Sequence, residues 1–401
     1  MKHLKSNVAA GSLIGFAVLA AHGQSSLTLY GNVDAGVQYM SDVGVARNTG
    51  SAGTPVVLAS KPRFAFLSGG AMSNRWGLKG IEDLGAGLAA IFQLENGFNS
   101  GTGAYVLSGT EFNRAAFVGL SSRRFGTLTF GRQADAISGL LVLYGPGFAG
   151  GISTYAGDLS NYDTSNRVNN AVKYRTPLYG GWSGEVLYGF GNTAESLNAE
   201  SAFGVGFNYV KGPLAGGIAY LRMDNSGATG NTWSGSADGN FGSAVTTGFV
   251  GARAVQIVDS AVNYVFSKLT VGVNYGFTQY RPSAVSLFKR IVGYNSVGVG
   301  MRYAYSPQII VAGNYSYTRG QSVAADAPLP RYQNLGVSAI YLLSRQTSIY
   351  VLGGYQNASG STLDAYGNVV NAVASIGDIA NSFPAGSHNQ VALRIGILNK
   401  F

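Results

Sequence analysis

Apolar and polar residues alternate along most of this chain. Between residues 27 and 39, Leu27, Leu29 and Val33 are separated by polar residues such as Thr28 and Asn32, and the same period of two recurs up to 388–400. Successive side chains of a β-strand point to opposite faces, so each such segment has one apolar and one polar face. The helical spacing of three and four residues fits none of them. The pattern predicts an all-β protein.

Sixteen segments carry this pattern, and most are about ten residues long, the length that a tilted strand needs to cross the hydrocarbon of a bilayer. They cover 27–39, 71–80, 87–98, 111–121, 125–132, 167–176, 182–191, 201–210, 214–224, 254–266, 269–280, 294–305, 308–319, 331–343, 346–356 and 388–400.

The connections between these segments alternate strictly between short and long. The long ones cover 40–70, 99–110, 133–166, 192–200, 225–253, 281–293, 320–330 and 357–387, and tight links lie between them. Alternation of this kind is typical of a 16-stranded antiparallel transmembrane β-barrel with short periplasmic turns and long extracellular loops. Closure leaves no free strand edge in lipid, and sixteen strands leave a lumen wide enough for water.

The first 23 residues have the form of a cleavable export signal. Lys2 and Lys5 precede an apolar run from Val8 to Ala21, which is too short for a transmembrane helix, and small residues precede Gln24. We therefore expect residues 1–23 to be a signal peptide and residues 24–401 to form a single barrel domain, exported to the bacterial outer membrane.

Composition excludes several other classes. The chain has no Cys, so it offers neither disulfides nor thiolate metal ligands, and we expect no metal and no cofactor. Only 11% of residues are charged, which is low for a soluble protein. The 27 Lys and Arg residues outnumber the 18 Asp and Glu residues, but the basic residues are spaced singly, which does not indicate nucleic-acid binding.

Several motifs resemble the general trimeric porins of Neisseria, Burkholderia and Bordetella-type β-proteobacteria. They are SLTLYG (26–31), NRWGLKGIEDLG (74–85), FGTLTFGRQ (125–133), NRVNNAVKYRTP (166–177), LSRQT (343–347) and the terminal Phe401. The resemblance covers the chain after the signal peptide. It implies a 16-stranded barrel, a homotrimer, and a third loop that folds into the pore and constricts it.

The residues of the third long connection, 133–166, also suggest an inward fold. This loop is the longest, its only acids are Asp135, Asp158 and Asp163, and it contains the apolar run LLVLY (140–144). So apolar a loop is poorly suited to open water, and folding against the inner barrel wall buries it. The resemblance places the loop tip at Pro146, Gly147 and Phe148.

The resemblance further implies a wall of arginines opposite this loop. Matching motif by motif gives Arg75 in NRWGL, Arg114 in FNRA (112–115) and Arg167 in NRVNN, with Arg132 and Arg175 as weaker candidates. A lipid-facing charge at the bilayer midplane costs about 2–4 kcal/mol, which favours placement of these arginines in the lumen. Together with the three loop acids they form the expected pore constriction. Since basic side chains predominate there, we expect a preference for anions.

Four alternatives remain beside the general channel for passive diffusion of ions and small hydrophilic solutes. An outer-membrane enzyme is disfavoured, since His388 is the only histidine after the signal peptide and the Glu82–Asp83 pair is expected in a tight periplasmic turn. A substrate-specific channel, an adhesin and a surface receptor are not excluded by the sequence.

The expected partners follow from the same features. We expect a homotrimer, with outward Ala115, Phe117 and Gly119 suited to protein contact, embedded among outer-membrane lipid and lipopolysaccharide. Phe401 ends the last apolar-alternating strand and resembles the C-terminal assembly signal read by the outer-membrane insertion machinery. The expected solutes are small, hydrophilic and anionic, and no nucleic acid is expected.

Overall fold

A computed structural model describes residues 25–141, 149–150, 152, 155–163, 166–239, 241–377 and 382–401. These residues form nineteen strands and a few short helical turns. The strands are β1 Ser26–Ala46, β2 Leu58–Ser68, β3 Arg75–Gly85, β4 Leu88–Gly97, β5 Ala115–Ser122, β6 Gly126–Gln133, β7 Val168–Arg175, β8 Trp182–Gly189, β9 Ala202–Lys211, β10 Leu214–Asp224, β11 Ala254–Phe266, β12 Leu269–Arg281, β13 Val292–Ala304, β14 Ile309–Gly320, β15 Arg331–Leu342, β16 Thr347–Ser359, β17 Ser361–Leu363, β18 Val369–Asn371 and β19 Asn389–Lys400. None of the helices in these ranges is long and apolar enough to cross a membrane.

Seventeen of these strands form one closed antiparallel sheet, and β17 and β18 form a separate hairpin. Apart from β2 and β3, each barrel strand pairs with the barrel strands before and after it in the chain, and β1 closes the ring by pairing with β19 from Asn32–Lys400 to Met40–Ala392. β2 and β3 pair with successive parts of β1 and so occupy one position in the wall. The barrel therefore has sixteen strand positions, as the alternating pattern predicts.

The predicted long loop 40–70 is wrong. β1 continues to Ala46 and β2 begins at Leu58, so the connection is much shorter than expected. The alternation is lost because the register between β1 and β2 shifts between Met40 and Val43, where Asp42 has a φ of 55°. The Glu82–Asp83 pair is likewise not in a turn, since both residues pair with β4.

The outward faces of the strands carry the large apolar residues. On β5, however, the residues predicted to face outward are those that face inward. Val118 and Leu120 are exposed on its outer face, whereas Ala115 and Phe117 line a cavity inside the barrel. Ala115, Phe117 and Gly119 therefore face inward, because a one-residue error in register exchanges the two faces of a strand.

The described parts of the third loop lie inside the barrel, the first part against β9 to β11 and Ile152 against Gly354 on β16. Its short helical turn Ile137–Leu141 packs on β9, β10 and β11, and Ile137 and Leu141 are fully buried. Gly206 on β9 leaves room for this turn, since a Cβ there would lie 2.9 Å from Leu140 Cδ1. The apolar run of this loop is thus buried on the inner wall as far as Leu141.

Later loops close the same half of the barrel mouth. Phe249, Phe288, Val323 and Leu363 come from four different loops and are buried in one cluster, in which the Phe249 ring stacks on Tyr280 at 4.6 Å. We call these residues the loop cluster. The opposite half of the mouth, above β2 to β7, is where open space remains among the described residues.

Candidate functional site

Two cavities occupy the lumen beside the third loop. One has a volume of about 560 Å³ and lies near Gln93, Phe117 and Lys173, and the other has about 640 Å³ and lies among the loops after β4 and β10. Four residues line both of them: Ser73, Arg114, Asp163 and Arg167. The boundary between the two spaces is therefore formed by two arginines, an aspartate and a serine.

Strand ends position the arginines of this boundary. Arg75 is the first residue of β3, while Arg114 and Arg167 immediately precede β5 and β7. All three expected arginines line the first cavity, and their side chains come from alternate strands of the wall, β3, β5 and β7. Arg132, on β6, lines the second cavity only.

A carboxylate that the sequence did not single out lies among these arginines. Glu95, near the end of β4, pairs with Arg114 at 2.6 Å between Oε1 and Nε, and lies 3.9 Å from an Nη1 atom of Arg75. Its other oxygen accepts a hydrogen bond of 2.7 Å from the Tyr30 hydroxyl. Period-two alternation places Glu95 inward together with Gln93, a signal that could have identified it.

Arg132 and Arg167 are held by different partners. Arg132 pairs with Asp238 and donates to the Asn113 carbonyl at 2.9 Å. Arg167 donates to the carbonyl oxygens of Arg114 at 3.2 Å and Asn166 at 2.7 Å.

The three acids of the third loop have different positions. Only Asp163 lines the cavities. Asp135 is fully buried and accepts hydrogen bonds from the backbone N–H of Ile137 at 2.6 Å and of Ser138 at 3.1 Å. Asp158, also buried, accepts from the Asp163 N–H at 3.0 Å. Asp135 and Asp158 therefore do not belong to the expected pore constriction. They stabilise the conformation of the loop and line neither cavity.

The expected loop tip, Pro146, Gly147 and Phe148, lies outside the described residues. Arg175 lines neither cavity, whereas Lys173 and Arg394, which the sequence did not single out, line the first. Nor was Asp238 identified, since it belongs to a different long loop. No group of His, Asp and Glu suited to a metal ion occurs in the described ranges.

Basic side chains predominate over the described lining of the two cavities. The basic residues are Arg75, Arg114, Arg132, Arg167, Lys173 and Arg394, and the acidic residues are Glu95, Asp163 and Asp238. The lumen therefore carries an excess of positive charge around its shared boundary.

The last residue of the chain takes part in barrel closure. Phe401 and Gly31 exchange two backbone hydrogen bonds, both 3.0 Å long. A Cβ at Gly31 would lie 2.6 Å from the Phe401 ring, so the ring covers the glycine.

A closed barrel with an apolar exterior and a charged, open lumen defines a membrane channel of the β-barrel class. The family model described as Gram-negative porin matches residues 9–361. The chain belongs to the Gram-negative porin family, and it is an outer-membrane porin with a passive channel function.

Relatives agree with this assignment over nearly the full length. An outer membrane porin protein of Bordetella pertussis is 31% identical over 88% of this chain and 94% of its own. Outer membrane porin protein 32 of Delftia acidovorans is 28% identical over 97% and 99%. Among solved structures, an anion-selective porin from Comamonas acidovorans aligns with a TM-score of 0.65 at 23% identity, covering 94% of this chain and 100% of that one.

Proposed function

We propose that this porin prefers anions among the ions and small hydrophilic solutes that it passes, and that the shared boundary of the two cavities sets this preference. The observation that carries the proposal is the boundary itself, where Arg114 and Arg167 face both spaces and Asp163 is the carboxylate beside them. Rings of basic side chains favour anions in channels. The anion selectivity named for the Comamonas relative supports the same direction.

The expected size of the effect is moderate. Unit charges several ångströms apart interact by about 1 kcal/mol in bulk water, and by more where bulk water is excluded. Screening shortens the reach of the field from about 10 Å at 0.1 M salt to about 3 Å at 1 M, so selectivity should weaken at high salt.

The reversal potential of the purified protein in a planar bilayer with a KCl gradient tests the proposal. The unaltered channel should favour chloride in dilute salt. Replacing the three wall arginines, R75S, R114S and R167S together, should shift the reversal potential toward potassium and raise conductance, since charge and volume leave the lumen.

A matched control removes the same charge elsewhere. R281S, R290S and R331S together change three exposed arginines that line neither cavity, and should leave the reversal potential close to that of the unaltered channel. Preference of the unaltered channel for potassium, or an equal shift in both triple variants, would disprove the assignment.

The same proposal gives residues 133–166 the role of a constriction loop, with Pro146, Gly147 and Phe148 at its tip. Its support is the burial of Ile137 and Leu141 against the inner wall and the presence of Asp163 at the shared boundary. No catalytic role is assigned, since the family is one of channels.

Three further proposals concern export and assembly. Residues 1–23 act as a cleaved signal peptide, the barrel associates as a homotrimer among lipid and lipopolysaccharide, and the insertion machinery reads Phe401.

Two of these proposals are tested on the purified protein. Mass spectrometry of the mature protein should find Gln24 at the N-terminus. Analytical ultracentrifugation in mild detergent should give three copies, and a monomer would contradict the trimer.

The alternatives are separated by the same bilayer recordings. A substrate-specific channel would show saturation of its current by one solute, and an adhesin or receptor with a closed lumen would pass no current. A graded, non-saturating conductance for several small anions supports the general channel.

A further inference from the structure

The second cavity differs in chemistry from the first. Besides its arginines it is lined by a group of large apolar residues: Phe98, Tyr105, Val106, Leu107 and Trp233. The first cavity contains Phe117 and Tyr162 but no comparable group from the loops. We call the second cavity the vestibule, since it is formed by the loops at the end of the barrel that carries the long connections.

The apolar residues of the vestibule come from two loops that face each other. Residues 98–107 follow β4, and Trp233 follows β10. The Trp233 ring packs on the Phe241 ring, with 5.0 Å between the ring centroids. Gly239 lies close beside Trp233, since a Cβ added at this glycine would be 3.1 Å from Trp233 Cγ. Tyr105, Val106 and Leu107 are 48%, 59% and 42% exposed, so they are free to meet a solute.

The floor of the vestibule is cationic. Arg114, Arg132 and Arg167 line it, and among the described residues the Arg114 side chain is held by an ion pair from its Nε atom to Glu95. The two Nη groups of Arg114 can therefore meet the two oxygens of an incoming carboxylate, the geometry that arginine prefers. A volume of about 640 Å³ falls in the range of small-molecule sites.

From this arrangement we infer that the vestibule binds small organic anions with an apolar body, with aromatic monocarboxylates as the best-fitting class. The carboxylate lies at the arginine floor and the ring lies between the two loops. The loop cluster closes the other half of the mouth, so a solute that enters above β2 to β7 passes this surface first. The inference names a class of solute for the proposed anion-preferring channel, and it rests on that proposed function.

Three probes separate charge from ring: benzoate has both, acetate has only the carboxylate, and benzyl alcohol has only the ring. Added to the single-channel chloride current at equal concentration, benzoate should interrupt the current for longer than either of the others. We expect the contacts between the benzoate ring and the vestibule to make benzoate stay in the channel about five to ten times longer than acetate.

Variants at exposed loop positions test the apolar surface without touching the arginines. The double variant V106S/L107S should shorten the benzoate interruptions about five- to tenfold. The control V57S/L197S makes the same exchange at two exposed apolar residues outside the vestibule and should behave like the unaltered channel.

Equal interruption by benzoate and acetate, or unchanged benzoate residence in V106S/L107S, would overturn the inference. A benzoate effect that survives loss of chloride preference would instead contradict the proposed selectivity while leaving the vestibule in place. If no chloride current is seen at all, broadening of the benzoate proton resonances by the detergent-solubilised protein, and its loss in V106S/L107S, decides the matter.

Discussion

Glu95 lies between two arginines of the lumen and reduces the positive charge that a passing ion meets. Its Oε1 atom pairs with Arg114, and Tyr30 and Gln93 lie near its other oxygen. A carboxylate held in this way neutralises part of the field of the neighbouring arginines.

We predict that E95Q strengthens the preference for chloride. Removing one negative charge a few ångströms from the shared boundary should deepen the chloride well by about 1 kcal/mol at high effective dielectric. The reversal potential in a dilute KCl gradient measures this change. E195Q, at an exposed loop position, serves as the control and should change little. A shift of E95Q toward potassium would contradict the account.

The arginines and Glu95 differ in how far the sequence predicts them. Arg75, Arg114 and Arg167 belong to recognisable motifs, so they can be placed by resemblance. Glu95 belongs to no motif, and only its parity on β4 marks it. The sequence predicts Asp135 and Asp158 in the constriction, whereas the structure buries both within the loop. A sequence gives the number of acids in a loop but not which of them will accept hydrogen bonds from backbone N–H groups of the same loop.

At the scale of elements, the third loop is fastened to the opposite wall by a buried polar contact. The Tyr162 hydroxyl donates to Oδ1 of Asp259 on β11, and the Thr278 hydroxyl donates to the Leu159 carbonyl at 2.7 Å. Burial, and then the negative charge of Asp259, raise the pKa of Tyr162 well above its usual value, so its hydroxyl remains a donor.

We predict that Y162F loosens the third loop. The variant removes the donor and leaves Asp259 buried, so the free energy of unfolding should fall by about 1–3 kcal/mol. Thermal unfolding in detergent measures the loss, and the variance of the open-channel current should rise as the loop moves.

The matched control for this variant is Y315F, whose hydroxyl donates to Gln333 on the exposed outer face. It should cost much less, because water and lipid headgroups can replace the lost partner. Equal destabilisation in Y162F and Y315F would mean that the inner contact does not fasten the loop.

Most strands could be predicted because a wall between lipid and water enforces period two. β10 and β11 follow the pattern throughout. The end of β1 is not predicted because the bulge between Met40 and Val43 interrupts its period. β2 is not predicted because Lys61, Pro62 and Arg63 follow one another in its own sequence and break the apolar alternation. On β5 the apolar residue Phe117 faces the lumen, so polarity does not show which face of this strand points inward. An inner face covered by a folded loop can be apolar, and periodicity alone then gives strands without their orientation.

At the scale of the whole molecule, Phe401 has both a structural contact and a proposed role in assembly. Its backbone pairs with Gly31, and its ring covers that glycine. We predict that deleting Phe401 lowers insertion into the outer membrane of cells and leaves export across the inner membrane intact. Fractionation of cells followed by immunoblotting measures both steps.

Two comparisons separate recognition from closure. F401Y keeps an aromatic ring and should restore insertion. Refolding of the purified deletion variant in detergent, without any machinery, should proceed nearly as well as that of the unaltered chain. A refolding defect as large as the defect in cells would show that Phe401 acts through barrel closure and not as a signal.

The pairing of β1 with β19 also brings the two ends of the barrel chain side by side. A short peptide from Phe401 back to Ser26 would run between adjacent strands at the same end of the wall, where the other tight turns already lie. Apart from β2 and β3, which share one position, every barrel strand pairs with the barrel strands before and after it, so the closed ring does not require the chain to begin at β1. A circularly permuted chain, joined there and opened at the exposed loop around Asp326, should keep every strand pairing. Retained strand pairing in the permuted chain would show that the closed wall does not depend on where the chain is opened.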